Sequence, residues 1–540
     1  MSRRFRLPRG TRDFAPEEMA KRSYAERLIR RVFERYGFQQ VQTPIFETFA
    51  LFALRSGEEI RSKMFVFTVD GEEMVLRPEV TAAVCRMISM GELDLSKKPL
   101  RLYYVGQCYR YEEPQAGRYR EFWQAGVELM GSPNPEADAE VIALAVDVIR
   151  ELGIKGFELR VGDMRVIRGL LSDSGVPEEA QNRVIGPLDV LGSNVDKLTL
   201  YADRLKSGGE LTEEELADLS RRLDDLRLWK EEEYRRMASG ESKLPPSLEP
   251  LLEVDPRVYT VKELYKSGRR GELAELVENS IRDLKEAQKA RWVYYGIEYE
   301  ENGELKKAKL SSSTAEALLR TMSLRGPRNS VLSAARRVFS SYPSALRALD
   351  VYREVLDLLP YYGVEDYVAD LSIARGLEYY TGTVFEIHCP YLGAQKQVCG
   401  GGRYDKLVEE FGGPSMPATG FALGFDRLVL AMEKSGVEFP PPARADVYVA
   451  AVSASVIPYA IEVSRKLREA GVRVEMDIMR RSIRESLSFA SRMEIPFVAI
   501  VGEKEAAEGK VALRIMGEKK QVTLTPEEAA ALVASRVGAR

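Results

Sequence analysis

The stretch from Tyr103 to Gly131 reads YYVGQCYRYEEPQAGRYREFWQAGVELMG and decides the fold prediction. Two extended apolar segments, Arg101–Arg110 and Phe122–Leu129, flank a polar loop that is rich in Arg, Glu, Pro and Gly. Strands joined by long loops, with few short strand–helix–strand units, favour antiparallel pairing. We therefore predict that this stretch forms a long hairpin within a mixed, mainly antiparallel sheet.

The loop of this predicted hairpin is crowded with arginine, at Arg110, Arg118 and Arg120. Arginine binds phosphate oxygens through two hydrogen bonds and keeps its charge beside them, so the cluster suits a polyphosphate ligand. A surface hairpin with salt bridges would use the same residue types. The charge pattern alone leaves both interpretations open.

The rest of the chain divides by its pattern. Strand-like segments dominate residues 1–165 and 366–437, whereas residues 166–365 are charged, Leu-rich and helical. Two hairpin turns are predicted, at Asp70-Gly71 and at Asn302-Gly303. After a proline-rich linker, residues 444–540 alternate strands with helices, which predicts a compact unit with a largely parallel sheet.

Composition excludes several classes of protein. The chain has 540 residues, of which 45% are hydrophobic and 30% charged, as in a globular protein with several cores. With His388 as its one histidine, it cannot build a multi-histidine metal site or an HExxH zinc helix. Its four cysteines form no CxxC pair, which argues against structural zinc and suits a reducing cytoplasm. We find no apolar run long enough to span a membrane.

The charge distribution is informative by region. The whole chain carries a net charge of −4, but residues 444–540 hold a small excess of Lys and Arg over Asp and Glu. A mildly basic unit on an acidic body is compatible with RNA binding, although ordinary surface charge explains it equally well.

Six further motifs lie along the chain: Tyr36–Glu47 with Pro44, LRPEVT at Leu76–Thr81, Arg110–Glu112 with the loop after it, ARGLEYYTGTVFEI at Ala374–Ile387, GGGRYD at Gly400–Asp405, and Gly424–Arg427. Together they resemble the motifs of the class II aminoacyl-tRNA synthetases and, within that class, of the histidyl-tRNA synthetase family. The resemblance implies an α+β catalytic domain with a mixed, mainly antiparallel sheet, formed by residues 1–165 and 366–437. It also implies a mainly helical insertion over 166–365 and a C-terminal α/β anticodon-binding domain over 444–540.

The activity implied by this resemblance has two steps. ATP activates L-histidine to histidyl-adenylate, and the histidyl group then passes to the 3′ end of tRNA. ATP would arrive as its Mg²⁺ complex, with no structural metal. The resemblance further implies a cytoplasmic homodimer without a membrane segment.

The resemblance also assigns roles to single residues. Arg110 and Arg375 would hold the α-phosphate, and Arg427 would hold the γ-phosphate while stacking on the adenine. Phe122 would cover the other face of the adenine, and Glu112 would accept from its amino group.

Histidine binding requires acceptors for the α-ammonium group, and both a donor and an acceptor for the ring. The ammonium candidates are Glu79, Thr81 and Gln124. Glu128 and Tyr380 are the ring candidates. Arg375, Tyr379 and Tyr404 are expected to line the same pocket, and His388 is expected to be structural.

Two surfaces are predicted to contact tRNA. Gln115, Arg118 and Arg120 would lie near the acceptor end, and Arg481 and Arg484 would face phosphates from the C-terminal unit. The alternative for the second surface is a solvated helix face. The main alternative for the whole chain is a catalytically silent synthetase paralogue that regulates histidine biosynthesis.

Overall fold

The computed structural model describes residues 6–54, 62–114, 117–301, 303–373, 379–393, 396–442 and 444–537. Its strands are β1 Gln39–Gln40, β2 Phe46–Thr48, β3 Phe65–Val69, β4 Glu72–Leu76, β5 Leu100–Tyr109, β6 Glu121–Met130, β7 Glu158–Asp163, β8 Ile297–Glu301, β9 Glu304–Ala308, β10 Arg325–Gly326, β11 Val368–Asp370, β12 Thr383–His388, β13 Gln397–Arg403, β14 Ala418–Gly424, β15 Val447–Ala451, β16 Val474–Met476, β17 Phe497–Val501, β18 Val511–Ile515 and β19 Lys520–Leu524.

The α-helices are α1 Pro16–Arg35, α2 Phe49–Ala53, α3 Thr81–Ser89, α4 Pro135–Glu151, α5 Met164–Asp173, α6 Glu178–Lys206, α7 Glu213–Ala238, α8 Val261–Lys266, α9 Arg270–Ala290, α10 Ser312–Thr321, α11 Arg328–Val338, α12 Pro343–Leu358, α13 Leu407–Glu410, α14 Phe425–Lys434, α15 Ile457–Glu469, α16 Ile483–Arg492, α17 Glu503–Ala507 and α18 Pro526–Val537. No helix in the described ranges is long and apolar enough to cross a membrane.

The large sheet confirms the predicted fold class. Its strand order is β1-β5-β6-β14-β13-β12-β7-β11-β10. Among the described pairings of this sheet, only β1–β5 and β7–β11 are parallel, and the others are antiparallel. The predicted hairpin is β5–β6, which stays in register from Leu100 opposite Met130 to Tyr109 opposite Glu121. The arginine-rich loop therefore begins where this pairing ends, at Tyr109 and Glu121.

The glycine run Gly400–Gly402 lies inside strand β13 rather than in a turn. A Cβ atom built on Gly401 would lie 2.4 Å from the carbonyl oxygen of Gly420 on β14. One built on Gly402 would lie 2.5 Å from the carbonyl oxygen of Thr383 on β12. Glycine is therefore required here because the neighbouring backbones approach too closely for any side chain.

A second, three-stranded sheet has the order β2-β4-β3. Its β3–β4 hairpin confirms the turn predicted at Asp70-Gly71, whose φ angles are 51° and 84°. Positive φ at both central residues fits the tight hairpin turns that Asp-Gly sequences favour. Pro44 lies between β1 and β2, where the chain forms two short strands and not one continuous strand.

Helices α5–α12 make up most of the region between β7 and β11. One buried cluster joins α6, α7 and α9 through leucine side chains, among them Leu198, Leu219 and Leu273. The predicted small hairpin is β8–β9, paired from Ile297 opposite Ala308 to Glu301 opposite Glu304. The helical character of this region is as expected, and its domain boundaries stay predictions.

The chain forms two compact units, one from Arg22 to Glu438 and another of Phe439 onward with Phe14–Lys21. The second unit has a sheet of order β16-β15-β17-β18-β19. The prediction that this sheet is largely parallel is wrong, because β17–β18 and β18–β19 are antiparallel. Only β15–β16 and β15–β17 are parallel, where helices α15 and α16 provide crossover connections. The β18–β19 pair is joined by a tight turn that allows only antiparallel pairing.

Candidate active site

A cavity of about 390 Å³ lies over the middle of the large sheet. Strands β6, β13 and β14 supply its floor, and the loop after β5 and the start of α14 supply one wall. It brings together twelve of the residues predicted for the site: Glu79, Thr81, Arg110, Glu112, Arg118, Phe122, Gln124, Glu128, Tyr379, Tyr380, Tyr404 and Arg427. These residues are up to 348 positions apart in sequence (Glu79 to Arg427), so only the fold assembles them.

One end of the cavity is cationic. The Arg110 guanidinium lies 5.4 Å from the centre of the Phe122 ring, and its Nε donates to the carbonyl oxygen of Pro78 at 2.9 Å. Arg427 donates from Nη1 to the carbonyl oxygen of Gln397 at 2.7 Å. Burial lowers the pKa of the Arg427 guanidinium, and the nearby positive charges of Arg118 and Arg110 lower it further. Three guanidiniums that repel one another in a partly buried wall are suited to bind a polyanion.

Glu112 lies within this cationic wall. Its carboxylate forms a salt bridge with Arg118, and the ammonium group of Lys63 lies 4.0 Å away. The Glu112 side chain is 8% exposed. This ion pair links the two sides of the arginine-rich loop between β5 and β6.

The other end of the cavity is acidic and more deeply buried. The hydroxyl of Thr81 donates to Glu128 Oε1 at 2.7 Å, and the phenol of Tyr404 donates to Oε2 of the same carboxyl. Burial raises the pKa of Glu128 to about 8, with a further contribution from the charge on Glu79, although the two hydroxyl hydrogen bonds oppose the shift. Glu128 is therefore held in one orientation, and burial brings its titration close to neutral pH.

Glu79 is the second buried carboxyl at this end. Its Oε1 accepts from the backbone N–H of Ala82 at 2.9 Å, at the beginning of α3. Burial raises the pKa of Glu79 too, against these backbone hydrogen bonds and the charge on Arg110. Gln124 lies on β6 near the same end, and its Oε1 accepts from Cys108 Sγ at 3.3 Å.

Aromatic side chains form a further wall of the acidic end. The rings of Tyr379 and Tyr380 lie 5.0 Å apart, and Tyr379 meets Tyr404 edge to face at 5.7 Å. Space beside Glu128 depends on Gly420, because a Cβ atom there would lie 2.1 Å from Glu128 Oε2. This end can therefore hold a small planar group between hydroxyls and a carboxyl.

The remaining predicted residues lie elsewhere. Gln115 and Arg375 are outside the described residues. Arg120 does not line the cavity, because its guanidinium stacks 3.8 Å from the centre of the Tyr111 ring. His388 also lies outside the lining and pairs with Glu386 at 2.5 Å.

The two C-terminal arginines differ from each other. Arg481 binds within its own unit, donating at 3.1 Å to Asp477 Oδ1 and to the phenol oxygen of Tyr448. Arg484 is exposed on α16. Arg484 is therefore better placed than Arg481 to meet a phosphate.

Sequence reasoning missed three charged residues that line the cavity. Lys63 precedes β3, Asp426 precedes Arg427, and Asp189 lies on the insertion helix α6. Asp426 accepts from Arg22 at 2.5 Å and from the backbone N–H of Trp123 at 2.8 Å, which fixes the start of α14. Its place beside Arg427 was a usable signal, whereas nothing in the local sequence around Asp189 or Lys63 indicates the cavity.

Comparison with known proteins identifies the family. The profile described as "Histidyl-tRNA synthetase" matches residues 10–220 and 274–428. A histidine–tRNA ligase of Methanococcus maripaludis is 34% identical over 96% of this chain and 98% of its own length. The chain belongs to the histidyl-tRNA synthetase family. The corresponding proteins of Methanocaldococcus jannaschii and Thermococcus kodakarensis are 35% and 34% identical, each over 96% of this chain.

Two further comparisons concern the fold of this family member. A profile described as "Anticodon binding domain" matches residues 446–536, which include the β15–β19 sheet. The crystal structure of histidyl-tRNA synthetase from Nostoc sp. PCC 7120 superposes with a TM-score of 0.62 and 22% identity, and covers 99% of this chain and all of that one. The class II synthetase type of fold is therefore established for both the catalytic and the anticodon-binding parts.

Proposed function

We propose that this chain activates L-histidine with ATP and transfers the histidyl group to the 3′ end of tRNA(His). The observation that carries this proposal is the division of one cavity into an arginine-lined end and a buried end built around Glu128. A nucleotide polyphosphate fits the first end by charge, and an imidazole fits the second by hydrogen bonding. Family membership over nearly the whole chain supports the same assignment.

In the activation step, the histidine carboxylate attacks the α-phosphorus of ATP, and the bond to the bridging oxygen breaks to release pyrophosphate. We assign Arg110 to the α-phosphate and Arg427 to the γ-phosphate, because both guanidiniums line the cationic end. Their fixed charges stabilise the negative charge that develops on the phosphate oxygens. Arg375 is proposed as a second α-phosphate ligand from the family motif that contains it.

The adenine would lie between Phe122 and Arg427. Phe122 already carries the Arg110 guanidinium against its ring, which places an aromatic face beside the phosphate site. Glu112 would accept from the adenine amino group. Glu112 is paired with Arg118, so the adenine amino group would either bind the carboxylate beside Arg118 or replace Arg118 as its partner.

Histidine recognition would use the buried end. Glu128 accepts from the ring N–H, and Tyr380 donates to the other ring nitrogen, with Tyr379 beside it. Tyr404 was expected only to line the pocket, but it also donates to Glu128 and so fixes the acceptor. Glu79, Thr81 and Gln124 are assigned to the α-ammonium group. A cavity that pairs both ring nitrogens rejects an apolar isostere by about 10⁴-fold or more, because a buried partner would be left unpaired.

The transfer step would use the tRNA 3′-terminal ribose. Its hydroxyl attacks the carbonyl carbon of the adenylate, AMP leaves, and a phosphate oxygen of the adenylate is proposed to take the hydroxyl proton. Arg118, Arg120 and Gln115 are assigned to the acceptor end. Arg481 and Arg484 are assigned to phosphates on the C-terminal unit, with Arg484 the more exposed of the two.

Magnesium is assigned to the ATP substrate, where it would bridge phosphate oxygens. A dimer is proposed from the small sheet, where Phe46, Val66 and Phe67 are 54%, 43% and 39% exposed. Exposed apolar side chains on the two outer strands of this sheet, β2 and β3, favour burial against a second copy. A cytoplasmic location is proposed because all four cysteines are free and buried.

Histidine-dependent exchange of pyrophosphate into ATP tests the proposal. A synthetase catalyses this exchange without tRNA, whereas a silent regulatory paralogue does not. Other amino acids serve as controls for selectivity. The amino alcohol histidinol, which lacks the reacting carboxylate, serves as a control for the chemistry. Absence of exchange by folded protein would favour the paralogue.

A further inference from the structure

A fully buried ion pair lies directly beneath the histidine end of the cavity. Arg403 at the end of β13 and Asp138 on α4 each have a side chain that is only 1% exposed. Arg403 Nε lies 3.0 Å from each Asp138 carboxylate oxygen. Neither residue lines the cavity, so the chemistry described above does not use them.

Each nitrogen of the Arg403 guanidinium donates at least one hydrogen bond. Nη1 donates to the carbonyl oxygen of Ser132 at 2.9 Å and to Asp405 Oδ1 at 3.0 Å, and Nη2 donates to the carbonyl oxygen of Asn134 at 3.2 Å. Thr383 Oγ1 lies 3.1 Å from Asp138 Oδ2. The planar guanidinium of arginine has several donors in fixed directions and can bind all of these acceptors at once. The single ammonium group of lysine cannot.

This network is attached to all three tyrosines of the histidine end. Tyr404 follows Arg403 directly, and its phenol donates to Glu128. The carbonyl oxygen of Arg403 accepts from the backbone N–H of Thr381 at 2.8 Å, immediately after Tyr379 and Tyr380. The hydroxyl of Thr381 accepts in turn from the backbone N–H of Asp405 at 3.0 Å.

Burial of a charged pair is costly and is seldom the most stable solution for a protein core. Its position between two segments that carry pocket tyrosines gives it a role beyond packing. We propose that the Asp138–Arg403 pair positions Tyr404 and the Tyr379–Tyr380 segment against Glu128, and so determines the selectivity of the cavity for the imidazole ring. This inference rests on the proposed function.

The test is histidine-dependent pyrophosphate exchange by Arg403→Lys, which keeps the charge but loses the fork. We expect the KM for histidine to rise about tenfold or more, while the KM for ATP stays within about twofold. A control pair is available in the insertion, where Lys230 Nζ contacts Asp283 Oδ2 at 2.5 Å away from the cavity. Asp283→Asn should lower thermal stability and leave both KM values unchanged.

A double-mutant cycle separates positioning from general structural damage. In a Tyr404→Phe background the phenol that holds Glu128 is already gone, so Arg403→Lys should raise the KM for histidine by less than about half as much as in the wild type, and the remaining effect should come from the Tyr379–Tyr380 segment. Additive effects in the cycle, or an unchanged histidine KM in folded Arg403→Lys, would overturn the proposal.

Thr383→Val decides the question if Arg403→Lys does not fold. It removes a hydroxyl that lies beside both Asp138 and the Asp163–Arg165 pair and keeps the side-chain volume, and about a threefold rise in the histidine KM is expected. No change in that KM would overturn the proposal. If the proposed function itself were wrong, the wild-type protein would show no histidine-dependent exchange, which distinguishes that outcome from failure of the positioning role.

Discussion

Histidine binding should release a proton from Glu128. Burial raises the pKa of this carboxyl from its ordinary value of 4.5 to about 8. Ionised Glu128 accepts the ring N–H of histidine more strongly than the neutral carboxyl does, so histidine binding favours the ionised form, while Tyr380 donates to the second ring nitrogen and keeps the ring neutral. The proton therefore leaves to the buffer. The variant that tests this is Glu128→Gln, which keeps the shape and has no proton to lose.

The size of the effect follows from that pKa. At pH 7 a group with a pKa of about 8 is about nine-tenths protonated, and at pH 8 it is about half protonated. Binding should release about 0.9 proton per site at pH 7 and about 0.5 at pH 8. The ionised fraction rises about fivefold over the same interval, so the KM for histidine should fall about fivefold. The sign follows because ionised Glu128 is the binding form and becomes more abundant with rising pH.

Calorimetric titration with histidine in two buffers of different ionisation enthalpy measures the released proton directly. Glu128→Gln should show no buffer dependence at histidine concentrations that still saturate it. Glu112→Gln is the matched control, because Glu112 is a carboxyl of the same cavity at the nucleotide end and its loss should leave proton release unchanged. A wild-type binding enthalpy that does not depend on the buffer at pH 7 would refute the role of Glu128 as acceptor.

Three further predictions follow from the geometry of the site and of the C-terminal unit. Gly420→Ala should reduce histidine-dependent exchange by about 100-fold or more and also lower thermal stability, since its methyl group would lie 2.1 Å from Glu128 Oε2 and 2.3 Å from the backbone carbonyl oxygen of Val127; normal exchange would contradict the assigned pocket. Arg427→Ala should raise the KM for ATP at least about tenfold and leave the KM for histidine nearly unchanged, measured by exchange at varied ATP; a selective effect on histidine would reverse the assignment of the two ends. Arg484→Glu should weaken tRNA binding and reduce its salt dependence without affecting exchange, whereas Lys504→Glu on the same unit should do neither; equal effects of both would indicate charge alone.

Much of the fold was accessible from local patterns. The β5–β6 hairpin was predicted from two apolar segments around a polar loop, and the β3–β4 turn from Asp70-Gly71, because these signals depend only on neighbouring residues. The antiparallel half of the C-terminal sheet was not predicted. Strands β17 and β18 are joined by a short helical segment, and a local pattern of alternating elements does not report the direction of pairing.

The residues of the site were largely predictable because they lie in recognisable motifs. Their contacts were not predictable, as Tyr404 shows: its hydrogen bond to Glu128 joins β13 to β6 across β14, and sequence spacing contains no information about that distance. Asp189 likewise reaches the cavity from the insertion helix α6 without any local signal.

The sequence by itself therefore determined the fold class, the family and most of the chemical groups at the site. Composition, strand alternation and motif spacing depend only on the order of residues along the chain, so they can be read without a structure. Only the tertiary structure decided that Glu128 is buried between two hydroxyls, that the Asp138–Arg403 pair lies beneath the pocket tyrosines, and that three arginines share one wall. Burial and the approach of distant charges arise from packing, and these set the pKa of Glu128 and the repulsion among the arginines.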